Sequence, residues 1–302
     1  MKTGRALIYS IMLSTLFFSA CGGINTPSRD GKLQVIATTT IVADVVAQIG
    51  REYVQVTTLL PPGIDPHTFE PRPQDAAALA DTQIIFASGA GLEEFLEPLL
   101  ISADASKKLV DVSQGIELIT FLENENKSSD PHTWMAPNNL LVWVDNIAAA
   151  LSAADPDHAA TYQANAETYA ISLRDLDAWI RSEVEQIPPD DRKLVSDHAV
   201  FGYFAREYGF IQVGTITGSF STNAAPSAQE LAALEDVILS YGVGAIFVGD
   251  TVNQELATQV VMDTGVKLIT IYHASLSDIN GPAKNYLEMM RYNVTAIVEA
   301  LK

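Results

Sequence analysis

The stretch LQVIATTTIVADVVAQIGREYVQVTTLL, residues 33–60, holds three patterns in succession. LQVIATTT is a short run rich in β-branched residues. IVADVVAQIG spaces its apolar residues as a helix does and ends in glycine, and EYVQVTTLL is a second β-rich run. Two strands flanking one helix form the unit of a parallel sheet, because parallel neighbours need a long crossover between them. The alternation continues downstream. PRPQDAAALADT predicts a helix with proline at its start, QIIFASG a buried strand, and GLEEFLEPLLISA another helix.

A second series repeats the first. NNLLVWVDNIAAALSAAD predicts a helix, and Asp155-Pro156 then supplies a cap and a first-turn proline for a longer one. That helix is expected from about residue 156 to about residue 186, with Tyr162, Tyr169, Leu173, Leu176, Trp179 and Ile180 recurring near the helical period. Pro188-Pro189 ends it. KLVSD, FIQVGTI, AIFVG and KLITIYH then read as strands, separated by the helices FGYFAREYG, SAQELAALEDVILSYG and NQELATQVVMDTG. A folded part of about 270 residues exceeds what one core usually holds. The expected architecture is therefore α/β, with two lobes, each a mostly parallel sheet flanked by helices, joined by one long rigid helix. The expected divisions are an N-terminal lobe over 33–155, a linking helix over 156–187 and a C-terminal lobe over 188–302.

The first twenty residues carry Lys2 and Arg5, then the apolar run ALIYSIMLSTLFF, then the small residues Ser19 and Ala20. This is the order of a secretory signal. The single cysteine, Cys21, directly follows and reads as the lipid-accepting residue of a bacterial lipoprotein signal. Acylated, it leaves no thiol for a disulfide or a thiolate ligand. Residues 21–32, small and polar, read as a flexible tether. No later apolar run approaches the roughly 20 residues that span a bilayer. The protein is thus expected on the outer face of the cytoplasmic membrane or in the periplasm. Its formal charge of −19 becomes −21 when Lys2 and Arg5 leave with no acid lost. Such a surface repels nucleic acid and anionic headgroups.

Two of the five histidines share a setting: PPGIDPHTFEPRP at 61–73 contains His67, and SDPHTWMAP at 129–137 contains His132. Proline before each stiffens the backbone that presents the imidazole, lowering the ordering cost of a ligand. Asp65 and Asp130 are expected to cap the turns through their side chains. His67 follows a strand and His198 ends KLVSD, and open parallel sheets bind ligands beyond the carboxyl ends of their strands. With His132 on a loop before a helix, three imidazoles from two lobes can meet in the cleft between them. Neutral imidazole suits zinc, copper, nickel and iron, and one added carboxylate closes a four-coordinate site. His158 reads as a surface residue, and Phe69 and Trp134 as lobe packing.

The segments PPGIDPHTFEPRPQD, SGAGLEEFLEPLL, DPHTWMAPNN, DPDHAATYQANAETY, SDHAVFGYFAREYGF and GPAKNYLEMMRYNV together resemble the signature segments of the zinc- and manganese-binding solute-binding lipoproteins of bacterial ABC importers. The resemblance runs the length of the chain in order. It implies a metal held between two lobes and delivered to an ABC permease and its ATPase by a monomer anchored through lipid on Cys21. It places His67, His132 and His198 at the first three ligand positions. Histidine at the third tilts the metal toward Zn2+ over Mn2+, since manganese is harder and prefers oxygen. The fourth position departs from the family pattern: IYHASLSDING puts Ala274 where Asp or Glu is usual. Asp278 is then the expected fourth ligand because a carboxylate offsets the cation's charge, with His273 second and water third.

Ligand imidazoles must be unprotonated, so affinity is expected to fall below the ordinary histidine pKa of about 6.5. Exposed acids such as Glu93 and Glu94 are candidate docking residues. Two other classes compete. A zinc hydrolase with an open fourth position would activate water; the chain contains no HExxH and no GxSxG, and Asp197 and Glu70, the nearest candidates for a general base, read instead as residues that orient the histidines. A surface adhesin is the third class.

Overall fold

A computed structural model describes residues 31–123, 126–223 and 225–302. The signal segment, Cys21 and nearly all of the tether lie outside the described residues. In the N-terminal half, strands β1 (Leu33–Ala37), β2 (Val54–Thr58), β3 (Ile84–Ala87) and β4 (Leu109–Asp111) form a parallel sheet in the order β2-β1-β3-β4. Helices α1 (Thr40–Gly50), α2 (Pro73–Asp81) and α3 (Leu96–Ser102) connect them. A two-stranded antiparallel ribbon, β5 (Thr120–Glu123) and β6 (Asn126–Ser129), follows, and then helix α4 (Pro137–Ala154).

Helix α5 runs Ala159–Val184, with Pro156–His158 a preceding 3-10 turn. Its 26 residues span about 39 Å at 1.5 Å per residue. Tyr162, Ala166, Tyr169, Leu173, Leu176, Ile180 and Val184 are buried along it. Their steps of three and four place them on one face, which packs on α1 and α4 and on the last helix of the chain. The C-terminal half repeats the parallel plan with β7 (Lys193–Ser196), β8 (Ile211–Thr215), β9 (Ala245–Gly249) and β10 (Lys267–Ile271) in the order β10-β9-β7-β8. Helices α6 (Gly202–Tyr208), α7 (Ala228–Tyr241) and α8 (Glu255–Thr264) connect these strands, and α9 (Tyr286–Leu301) closes the chain. The structure is the two-lobed α/β fold that the alternating pattern predicts, with the long helix joining the lobes.

Local chemistry sets the element ends. Thr39 caps α1 by accepting the Val42 amide, and Ile41, Val42, Val45, Val46 and Ile49 bury its inner face. Ser227 and Glu230 form a capping box on α7. Asn285 caps α9, whose inner face buries Tyr286, Met289, Met290, Val294 and Ile297.

Hydrogen bonds stitch one half to the other. The Thr40 hydroxyl accepts the Leu276 amide at 2.8 Å, Asp44 accepts the Tyr286 amide at 2.8 Å, and the Gly63 amide donates to Ser275 at 3.1 Å. The Trp134 indole donates to the His273 carbonyl at 2.8 Å, and the Tyr286 hydroxyl to the Trp134 carbonyl at 2.8 Å. Trp134 is buried in the core, which bears out its reading as packing, and Phe69 stacks edge-on against Phe95. His158 has partners rather than a free surface: its Nδ1 lies 2.8 Å from Asp155 and its ring stacks on Tyr53 at 3.9 Å.

Candidate metal centre

The repeated Asp-Pro-His-Thr segments are a pair of identical side-chain turns. Asp65 Oδ1 accepts the His67 amide and Asp130 Oδ1 accepts the His132 amide, each at 2.9 Å. An aspartate bonding the amide two residues ahead closes an Asx-turn, and the intervening proline fixes φ inside it. The two turns then diverge. Asp65 Oδ2 takes the Thr222 hydroxyl from the other half of the molecule at 2.7 Å. Asp130 Oδ1 also meets His132 Nδ1 at 2.8 Å.

The loop after β2 presents His67, and β7 ends one residue before Asp197-His198. His132 sits at the entry to a 3-10 turn ahead of α4. His132 Nε2 is 3.2 Å from His67 Nε2 and 3.1 Å from His198 Nε2. The three rings are arranged edge to face, with centroids 4.9 to 5.3 Å apart. Four nitrogens at a zinc bond length of 2.0–2.1 Å in tetrahedral array stand about 3.3 Å from one another. The spacing of this trio therefore fits a shared cation.

Burial and hydrogen bonding prepare the nitrogens for that role. His132 and His198 are each 1% exposed. Desolvation, joined by the charge of neighbouring histidines, brings His67 down to about 4. His198 also falls to about 4, mainly through desolvation, and His132 is driven well below the usual range. All three are thus neutral at pH 7. His198 Nδ1 donates to Asp197 at 2.7 Å, which leaves its Nε2 a bare lone pair aimed at the trio. Burial pushes the Asp130 carboxyl up to about 7, so without a cation the Asp130–His132 contact holds a proton and is not a fixed ion pair. A cation between the Nε2 atoms favours the ionised carboxylate and its bond from His132 Nδ1–H. One oxygen of Asp130, Oδ2, is buried without a hydrogen-bond partner.

Beside the trio lies a second group, Asp197, His198 and His273, whose ligand atoms fall within 4.8 Å of one another. Asp197 Oδ1 accepts both the amide and the Nδ1–H of His198, and Oδ2 accepts the Gly249 amide at 2.8 Å and His273 Nε2 at 2.9 Å. Desolvation alone would raise the Asp197 carboxyl; the His273 charge and these bonds pull it well below the ordinary range. His273, fully buried, loses to desolvation but gains more from Asp197, and its pKa is raised. A cavity of about 290 Å³ opens alongside, bounded by Asp65 and Thr68 from one half and by Asp197, Thr217, Thr222 and Thr251 from the other.

Asp278, the expected fourth ligand, is placed elsewhere. It is exposed, and its Oδ1 accepts the amides of Asn280 and Gly281, closing its own turn. Among the described residues the group that contains the three imidazoles takes in no carboxylate. Glu93 also departs from expectation, since its carboxylate accepts the Thr38 hydroxyl and the Ser88 and Gly89 amides instead of facing solvent. Glu94 is exposed. The pairing of Asp197 with His273, which lies 76 residues further on, has no signal in local sequence.

Two lobes with histidines gathered between them define a binding protein that takes its ligand in a cleft. Residues 35–300 match the family described as zinc-uptake complex component A, periplasmic, and the chain belongs to that family of metal-binding receptors of ABC importers. It is 32% identical over 296 residues to the manganese-binding lipoprotein MntA of Halalkalibacterium halodurans, covering 97% of each chain. It is 30% identical to the iron-binding protein YfeA of Yersinia pestis, covering 97% of this chain and 94% of that one. Among solved structures, the periplasmic zinc-binding protein TroA of Treponema pallidum superposes with a TM-score of 0.82 at 26% identity, over 90% of this chain and 99% of the other. A manganese-bound periplasmic metal-binding protein of Candidatus Liberibacter asiaticus gives 0.79 at 27%, over 90% and 100%.

Proposed function

We propose that this protein captures a divalent transition metal between its lobes on His67, His132 and His198, and hands it to an ABC permease driven by its ATPase. The observation that carries this reading is the convergence of three neutral Nε2 atoms, two on buried histidines and one on a half-buried one, at 3.1 and 3.2 Å. Bare nitrogens facing one another repel unless a proton or a cation lies between them. Zinc is favoured over manganese, because the trio is all nitrogen and manganese prefers oxygen donors. The names of the relatives support more than one metal, so the choice rests on the donor set.

The signal and Cys21 support attachment by lipid to the outer face of the membrane, and the chain acts as a monomer of two lobes over 33–155 and 188–302 with residues 156–187 between them. No helix among the described residues is long and apolar enough to cross a membrane. An enzyme reading needs a free general base beside the metal. Asp197 has both oxygens engaged, and Glu70 is exposed on the His67 loop; with the family of importer receptors, this favours the carrier reading over a hydrolase.

Competition between zinc and manganese against a chromophoric chelator tests this. The parent should bind one zinc per chain, tighter than manganese. Single alanine variants of His67, His132 and His198 should each lose that binding, while Asp278→Ala keeps it. Binding unchanged in all three histidine variants would refute the assignment.

A further inference from the structure

The neighbouring carboxylate does not complete the trio, and the reason is geometric. Each oxygen of Asp197 is held by two donors: Oδ1 by the amide and Nδ1–H of His198, Oδ2 by the Gly249 amide and His273 Nε2. The backbone leaves no slack on the second side. A Cβ on Gly249 would stand under 3.0 Å from His273 Nε2, so only glycine lets the imidazole, the amide and the carboxylate meet. His273 in turn spends on Asp197 the same nitrogen that it would need for a cation. Its other nitrogen, Nδ1, is buried with no partner, and its carbonyl is fixed by the Trp134 indole.

Resting on the proposed metal site, we infer that Asp197 and His273 are positioning residues that set the metal preference. Asp197 aims His198 at the cation, and His273 keeps the Asp197 carboxylate off it. The negative charge then reaches the metal through an imidazole instead of an oxygen. A site arranged in this way presents nitrogen alone, the donor set that favours zinc, and withholds the hard oxygen that manganese requires. His273 is not a ligand.

Two arms test this. In the first, long-range proton–nitrogen spectra of the zinc-loaded protein, labelled at histidine, should show three metal-shifted Nε2 signals, from His67, His132 and His198, with His273 unshifted; a metal shift on His273 overturns the inference. In the second, zinc and manganese affinities are measured on two variants. Asp197→Asn should weaken zinc by about 10- to 100-fold, the usual effect of losing a ligand's orienting partner. His273→Ala leaves Oδ2 with the Gly249 amide alone, opening one of its lone pairs to the metal, and should move the zinc-to-manganese ratio toward manganese by about tenfold, on the preference of manganese for carboxylate oxygen. Zinc affinity within twofold of the parent in Asp197→Asn, or a ratio unmoved or shifted toward zinc in His273→Ala, contradicts it. The spectra need no variant, so a variant that fails to fold does not shelter the idea. Loss of zinc in His67→Ala alongside indifference of Asp197→Asn sinks this inference alone; a parent that binds no metal sinks the metal site with it.

Discussion

Gly202→Ala is a perturbation that touches no imidazole and yet should reach the metal. Gly202 opens α6, where alanine would ordinarily stabilise a helix by up to about 1 kcal/mol. Here an added Cβ would stand under 3.0 Å from Asp130 Oδ2, with Ile119 in contact beside it. Asp130 is wholly buried, and its other oxygen holds both the amide and the Nδ1 of His132. Turning the carboxylate away from the new methyl therefore disturbs both bonds to His132. Overpacking of this kind costs about 1–3 kcal/mol, against a helix gain of at most about 1, so net stability should change by between about 0 and a loss of about 3 kcal/mol. Metal affinity should fall as well, by about 10- to 100-fold, or about 1.4–2.8 kcal/mol. Thermal unfolding of the metal-free variant together with chelator competition for zinc separates the two effects. A variant whose zinc affinity stays within twofold of the parent would refute the claim that Asp130 holds His132 in register.

The metal-free protein should also lose stability on acidification. His67 and His198 lie at about 4 in the folded chain against 6.5 ordinarily, and His132 lies well below it, so between those values the three imidazoles bind more protons in the unfolded chain; Asp130, raised to about 7, works in the opposite direction but is one group against three, and stability falls as pH drops through the window. At about 1.4 kcal/mol per pKa unit His67 and His198 each contribute up to about 3 kcal/mol, less for two that share neighbouring charges; urea unfolding that is flat from pH 7 to pH 4 would contradict this. Zinc affinity should weaken as pH falls below about 7, because the proton held at the Asp130–His132 contact must leave when the cation binds, and should fall more steeply near pH 4 as His67 and His198 protonate. Zinc at a free concentration 100-fold above its dissociation constant should add about 2.7 kcal/mol of stability, and chelation should remove it; an unfolding midpoint indifferent to zinc would argue that the folded cleft does not bind it.

Much of this was written locally in the chain. The strand–helix alternation over 33–60 appears as β1, α1 and β2, because each element carries its own period and cap. Helix α5 falls inside the expected span, since a single apolar stripe runs from Tyr162 to Val184 between two proline stops. The Asx-turns before His67 and His132 were legible too, because an aspartate two residues ahead of the amide it caps is a local arrangement. Short pieces were less so. β4 has three residues, β5 is only the four residues TFLE, and β6 is the polar NKSS with no apolar alternation to betray a strand. The fourth side of the site is less legible for a different reason. Asp278 is a carboxylate in the right loop, but the amides of Asn280 and Gly281 consume it. Asp197 and His273 meet only after β7, β9 and β10 have lined up, and pairing at that range leaves no trace in spacing.

Anomalous scattering at the zinc edge from crystals of the loaded protein tests the central claim most directly. The account predicts one peak in the cleft, about 2.0–2.1 Å from Nε2 of each of His67, His132 and His198, with His273 still on Asp197. A peak bound instead at Asp278, or no ordered metal on the three imidazoles of protein loaded to one equivalent, would contradict it.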